Sequence, residues 1–218
     1  MSVKEMSRIL YLHGFASSPA SSKALFFRER LTRAGFAVEV PDLGARDFEG
    51  LTITGQLDVI AAAAAGATAG EPVTLIGSSM GGYLAALYAA RHPETARVVL
   101  MAPAFGFARR WRERLGAAAV EEWKRTGALE VFHYGEGRTC KLGYGLLEDG
   151  GRYEDYPEVT QPCLIFHGVH DDVVPAQYSR DFAAGRSNVR LELVDSGHDL
   201  LNVLDAMADG VEAFLPLP

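Results

Sequence analysis

The chain has 218 residues, 48% hydrophobic and 22% charged, a globular composition long enough for one domain with a substantial core. Its net charge of -7 and its pI of about 5.4 provide no general positive field for nucleic acid or anionic lipid. Two cysteines, Cys140 and Cys163, outside any CxxC or Cys/His cluster, argue against a disulfide framework and a structural zinc site.

In chain order, Met1 to Arg8 lack the apolar stretch of a secretory leader, and no later apolar run reaches 18 residues. A cytoplasmic protein without stable membrane insertion is expected. Arg8 to Leu12 is a short apolar run closed by His13-Gly14, and similar runs recur at Ala37 to Val40, Val73 to Ile76, Val98 to Met101, Cys163 to Phe166 and Val189 to Val194. Near-continuous apolar runs of this length suit strands buried on both faces of a parallel sheet. Helical stretches lie between them: about Ala20 to Ala34, Gly55 to Ala69, Met80 to Arg91, Ala176 to Ala184 and Leu200 to Phe214, mostly closed by glycine or proline. Alternation of this kind predicts an α/β fold with a mostly parallel sheet of about six strands, helices on both faces, and chemistry at the carboxyl ends of the strands.

One interval breaks the alternation. About fifty residues, Phe105 to Tyr156, separate the fourth and fifth strand signals, too many for a plain connection. Arg109 to Leu115 and Ala117 to Thr126 read as helices, and Leu129 to Tyr134 pairs with Lys141 to Tyr144 across Gly135-Glu136-Gly137 as a hairpin. The expectation is a single domain with a cap inserted at about 105–156.

The strongest chemical signal is Val73-Thr74-Leu75-Ile76-Gly77-Ser78-Ser79-Met80-Gly81-Gly82, a GxSxG motif between a strand and a small-residue helix. A serine hydroxyl is a weak nucleophile until presented to a base, and a tight turn with glycines two places either side does this. Only Ser79 fits, because Ile76 and Met80 flank Ser78 at those positions. The Met80 amide then opens a helix, where unpaired N–H groups and the helix dipole favour an oxyanion.

His198, in the polar loop Asp195-Ser196-Gly197-His198-Asp199 after the last strand, stands where a general base should emerge, in the chain order nucleophile, acid, histidine. In His167-Gly168-Val169-His170-Asp171-Asp172 a strand runs into two adjacent carboxylates. Either can accept the proton of the base, and Asp199 is a third candidate. At the end of the first strand, Gly14 allows close approach and the Phe15 N–H supplies a second oxyanion donor. His13 is read mainly as a brace of that loop, and with Gly14 it borders the substrate. The aromatics Phe105, Phe107, Trp111 and Trp123 are candidates for an apolar acyl pocket, although aromatics at helical spacing more often form the core of a cap.

Together these residues resemble the α/β-hydrolase superfamily. The opening His13-Gly14-Phe15-Ala16-Ser17-Ser18-Pro19 with Ser22-Lys23-Ala24 is similar to the small bacterial esterases of the YqiA type. The resemblance runs from about Ile9 to Phe214 and implies a serine esterase acting on acyl esters or thioesters without metal or organic cofactor. The HGxxDxxVP pattern, met by His167, Gly168, Asp171, Val174 and Pro175, implies that Asp171 is the acid. The implied partner is a small-molecule ester or thioester. Peptidase, lactonase and carbon–carbon bond hydrolase chemistry on the same triad, or a ligand-binding member without catalysis, are the alternatives.

Overall fold

The computed structural model describes residues 8–44, 47–66 and 72–216. Six strands form one sheet: β1 (Arg8–Leu12), β2 (Ala37–Glu39), β3 (Val73–Ser78), β4 (Arg97–Met101), β7 (Cys163–Gly168) and β8 (Val189–Val194). Every pairing is parallel, in the order β2-β1-β3-β4-β7-β8. The chain moves outward from β1 to β2, then returns to lay β3 on the other side of β1. This reversal opens a crevice outside the carboxyl ends of β1 and β3, where such sheets bind ligands.

Two hydrophobic clusters sandwich the sheet because successive strand residues point to opposite faces. Ile9 and Tyr11 face α1 (Ser22–Arg33) and α8 (Leu204–Phe214), whose Phe27, Leu31, Met207 and Val211 are fully buried. Leu10, Leu12 and Leu75 face the other layer, with α2 (Ile53–Ala65), α3 (Met80–Arg91) and Phe182 of α7 (Gln177–Ala183).

The expected elements are present with shifted ends. β3 runs past Ile76 because Gly77 and Ser78 still pair with Leu100 and Met101 of β4. The last helix is preceded by a 3₁₀ turn, Leu201–Val203, after Leu200 in the left-handed region. The expected helix over Gly55 to Ala69 starts earlier, with Thr52 Oγ accepting from the Gly55 N–H, and passes into Gly66; residues 67–69 lie outside the described residues.

Between β4 and β7 stand α4 (Phe107–Leu115), α5 (Ala117–Thr126), the antiparallel pair β5 (Ala128–His133) and β6 (Arg138–Gly143), and α6 (Gly145–Gly150). The hairpin turns at Gly135-Glu136-Gly137, and the Gly135 N–H donates to the Ala16 carbonyl at 3.1 Å, which ties it to the loop after β1. α6 has no counterpart in the sequence reading. It buries Leu146 and Leu147 in the α2/α3 core, and Asp149 accepts from the Thr54 N–H (2.7 Å) and hydroxyl (2.9 Å) at the start of α2. Among the described residues no helix is long and apolar enough to cross a membrane.

Candidate active site

Ser79 occupies the turn between β3 and α3 with φ 53° and ψ -114°. A non-glycine residue there costs about 1–3 kcal/mol and persists only where its surroundings fix it. Here the Ser79 N–H donates to Met101 O (2.8 Å), and its carbonyl accepts from Ala104 N–H (2.9 Å) and Tyr83 N–H (3.1 Å). A side chain on Gly77 would overlap the Gly81 backbone, and one on Gly81 would overlap the Leu12 and His13 carbonyls. Both glycines are therefore steric requirements for bringing β3, α3 and the loop after β1 together.

His198 lies in the loop after β8 and reaches both expected partners. Its Nε2 is 3.0 Å from Ser79 Oγ and its Nδ1 is 2.7 Å from Asp171 Oδ2. Because a carboxylate accepts only, Nδ1 carries the hydrogen and Nε2 is free to accept from the serine hydroxyl. Of the three candidate carboxylates, Asp171 is the one that meets His198. Asp172 is exposed, and Asp199 Oδ1 accepts from its own loop at Leu201 N–H (3.2 Å).

Asp171 is held from several sides. Its Oδ1 accepts from Val173 N–H (2.9 Å) and Val174 N–H (2.7 Å), and its Oδ2 lies 3.1 Å from His167 Nε2. Burial works against ionisation, but the bonds from His167, His198 and Val174 N–H together hold its carboxyl well below the usual carboxylate range. His167, fully buried on β7, also places Nε2 2.7 Å from Val174 O and Nδ1 2.7 Å from Ser179 Oγ. Both neighbours of Nε2 are acceptors, so that nitrogen donates. His167 thus braces the Asp171 carboxylate and the loop after β7 together, a role that the sequence pattern alone does not show.

Phe15 and Met80 flank this group from the loop after β1 and the first turn of α3. Among the described residues neither backbone N–H is paired within the chain. Gly14 packs against Ser79, with a hypothetical Cβ 3.5 Å from Ser79 Cβ. His13 Nε2 accepts from Leu43 N–H at 3.0 Å, so its ring ties this loop to the segment after β2 while one edge borders the cavity.

A cavity of about 920 Å³ opens on Ser79 and His198, and Phe15, Phe107, Trp111, Leu115 and Leu129 supply its apolar wall. Trp111 meets Phe15 edge-on at 5.4 Å between centroids, so α4 is joined to the loop that carries the Phe15 amide. Two expected pocket aromatics are elsewhere. Phe105, with no exposed surface, stacks on Phe182 of α7 at 4.3 Å in the core. Trp123 is 1% exposed and donates from Nε1 to Leu142 O at 2.9 Å, pinning α5 to β6 behind Trp111.

Residues 8–214 match the model of the uncharacterised protein family UPF0227. The chain belongs to this family. Its fold is that of the α/β hydrolases, and the solved structures it resembles include a putative hydrolase from Agrobacterium vitis S4 (TM-score 0.83, 23% identity, covering 97% of this chain and 88% of that one). Mouse alpha/beta hydrolase domain-containing protein 10 superposes with a TM-score of 0.80 at 20% identity, over 96% of this chain and 89% of that one. Est1E from Butyrivibrio proteoclasticus gives 0.74 at 21% identity, over 98% and 88%. A 62-residue stretch is 32% identical to part of an NADH-quinone oxidoreductase protein of Cytophaga hutchinsonii, 28% of this chain and 16% of that protein, too little of either to define a family.

Proposed function

We propose that the chain is a serine hydrolase that opens a carboxylic ester or thioester through an acyl-Ser79 intermediate. One observation carries the reading: His198 touches Ser79 Oγ with one ring nitrogen and the Asp171 carboxylate with the other, at 3.0 and 2.7 Å. Membership of UPF0227, with its α/β-hydrolase fold, and the likeness to Est1E support it.

Ser79 Oγ attacks the acyl carbon while its proton passes to His198 Nε2, and Asp171 stands opposite the imidazolium. The carbonyl oxygen becomes an oxyanion beside the unpaired N–H groups of Met80 and Phe15. Collapse breaks the bond to the alcohol or thiol, which leaves with the proton from His198. Water then attacks the acyl-serine under the same base, releasing the acid and restoring Ser79. Every proton is carried by a group of the chain.

The test is hydrolysis of p-nitrophenyl and CoA esters of increasing acyl length. Turnover that disappears in Ser79→Ala supports the reading, and absence of turnover on every ester and thioester rejects it. Because the base takes the serine proton, His198→Ala is expected to lower kcat by about as much as Ser79→Ala does, as for residues that act as a unit. Retained turnover in that variant would show that another group is the base.

The two tryptophans separate pocket from scaffold. Trp111→Ala is expected to alter the ratio of long-chain to short-chain kcat/KM by about tenfold, as removal of a wall against several methylenes does. Trp123→Ala empties buried volume behind it and is expected to cost about 3–5 kcal/mol of stability with little change in that ratio. Chain-length profiles and urea melts of both variants check this, and the opposite pattern would place Trp123 at the substrate.

A further inference from the structure

The cavity wall is not uniformly apolar. Lys23, Arg110 and Arg114 line it, against Asp199 as its single carboxylate among the described residues. In this acidic chain many arginines away from the cavity are ion-paired, among them Arg30 with Glu212, Arg91 with Glu154 and Arg109 with Asp155. None of the three cavity cations has such a partner among the described residues.

Lys23 extends from the start of α1 to the floor beside the nucleophile, and its Nζ donates to Ser78 Oγ at 3.0 Å. An ammonium has three donors, and this is the one hydrogen bond it makes to the chain among the described residues. Arg110 leans on Tyr178, with Cζ 5.3 Å from the ring centroid, and makes a long contact of 3.4 Å from Nη1 to Val173 O. Its Nε is shielded from solvent and has no acceptor.

Burial pushes the Lys23 amine down to about 8, against the pull of Asp199 and Asp171, and burial likewise lowers Arg110. Keeping cations desolvated with no carboxylate in ion-pair contact is unfavourable, and an entering anion relieves that cost. An uncharged alkyl ester would need only the Trp111 side of the cavity and would leave these donors unmatched.

Resting on the hydrolase reading above, we propose that the substrate is an ester carrying a carboxylate, received in the cavity by Lys23 and Arg110. Arg114, exposed on the same face of α4 one turn later, adds to the field that draws the anion in.

The carboxylate can belong to the acyl part or to the leaving group, and two substrate pairs separate these. p-Nitrophenyl hydrogen glutarate against its methyl ester carries the charge on the acyl side, and 4-carboxyphenyl butyrate against its methyl ester carries it on the leaving side. With kcat/KM divided by the hydroxide-catalysed rate, the anion is expected to be preferred about tenfold or more in one pair, as charge-assisted hydrogen bonds allow. Lys23→Met and Arg110→Met should each shrink that preference by about fivefold, while Lys124→Met, exposed on α5, should not. Taking the ratio within one variant cancels any general loss of rate. A ratio of one or less in both pairs, or a preference untouched in both variants, overturns the proposal.

If a variant does not fold, inhibition of the unaltered protein decides: glutarate should compete with p-nitrophenyl butyrate and neutral glutaramide should not. Equal or no inhibition by the two overturns the proposal. Hydrolysis of the uncharged esters without anion preference defeats this inference alone, whereas inertness toward every ester defeats the hydrolase reading.

Discussion

Ser79→Ala is expected to lower kcat by about 10⁴ or more, leaving at most what binding and oxyanion contacts supply without a nucleophile. Its Oγ makes one hydrogen bond, to His198, so the fold should persist, with an unchanged circular dichroism spectrum. Removing the side chain also relaxes none of the steric requirement at Gly77 and Gly81, which depends on backbone approach. Ser78→Ala is the sharp control. Its hydroxyl is buried and receives Lys23, so its loss costs stability of about 1–3 kcal/mol through the stranded donor. Turnover should change by less than about tenfold, because nothing is removed from the reacting atoms. Equal losses in the two variants would detach the chemistry from Ser79.

Asp171→Asn is expected to cost about two to four orders of magnitude in kcat, by analogy with the amide substitution in the protease triad. The amide keeps the shape but offers an N–H where His198 Nδ1 needs an acceptor, favouring the wrong tautomer, and it removes the charge opposite imidazolium. The buried position magnifies the change, because His167 and two backbone amides converge on the same carboxylate. Asp171 also links stability to pH. Its carboxyl is held below its unfolded value, so the stabilisation is full above the ordinary carboxylate range and fades as pH falls through and below it. The Asn variant should lose that part of the acid sensitivity. Asp172→Asn, altering an exposed side chain, should change kcat by less than about tenfold. Kinetics with parallel thermal melts check both, and the reverse ranking would make Asp172 the acid.

Much of the fold and of the candidate site's geometry is legible in the sequence because both depend on local constraints. A strand buried on two faces must be apolar along its length, as Val73 to Ile76 and Cys163 to Phe166 are, and such strands alternating with helices leave few topologies. The elbow is legible because its geometry excludes side chains at Gly77 and Gly81. The choice between Asp171 and Asp172 is not local: it depends on which carboxylate the turn after β7 aims at a loop 27 residues further on.

Between β4 and β7 local sequence patterns stop deciding where a side chain ends up. Phe105, Trp111 and Trp123 have the same chemistry and helix-compatible spacing, yet one lies in the core, one on the cavity wall and one behind it. Only the packing of α4 against α5 and α6, and of Trp123 onto β6, distinguishes them. The contact of Lys23 with Ser78, 55 residues apart in the chain, joins two elements whose own patterns do not refer to each other.

In the proposed cycle Ser79 forms the covalent bond to the substrate acyl group. Incubation with a fluorophosphonate, followed by peptide mass spectrometry, reads this directly, since the reagent phosphonylates a serine activated by its neighbouring base. A single adduct on Ser79, formed at a rate that falls sharply in His198→Ala, is the expected result. An adduct on Ser78 or another residue, or an unlabelled protein that still hydrolyses esters, would contradict it.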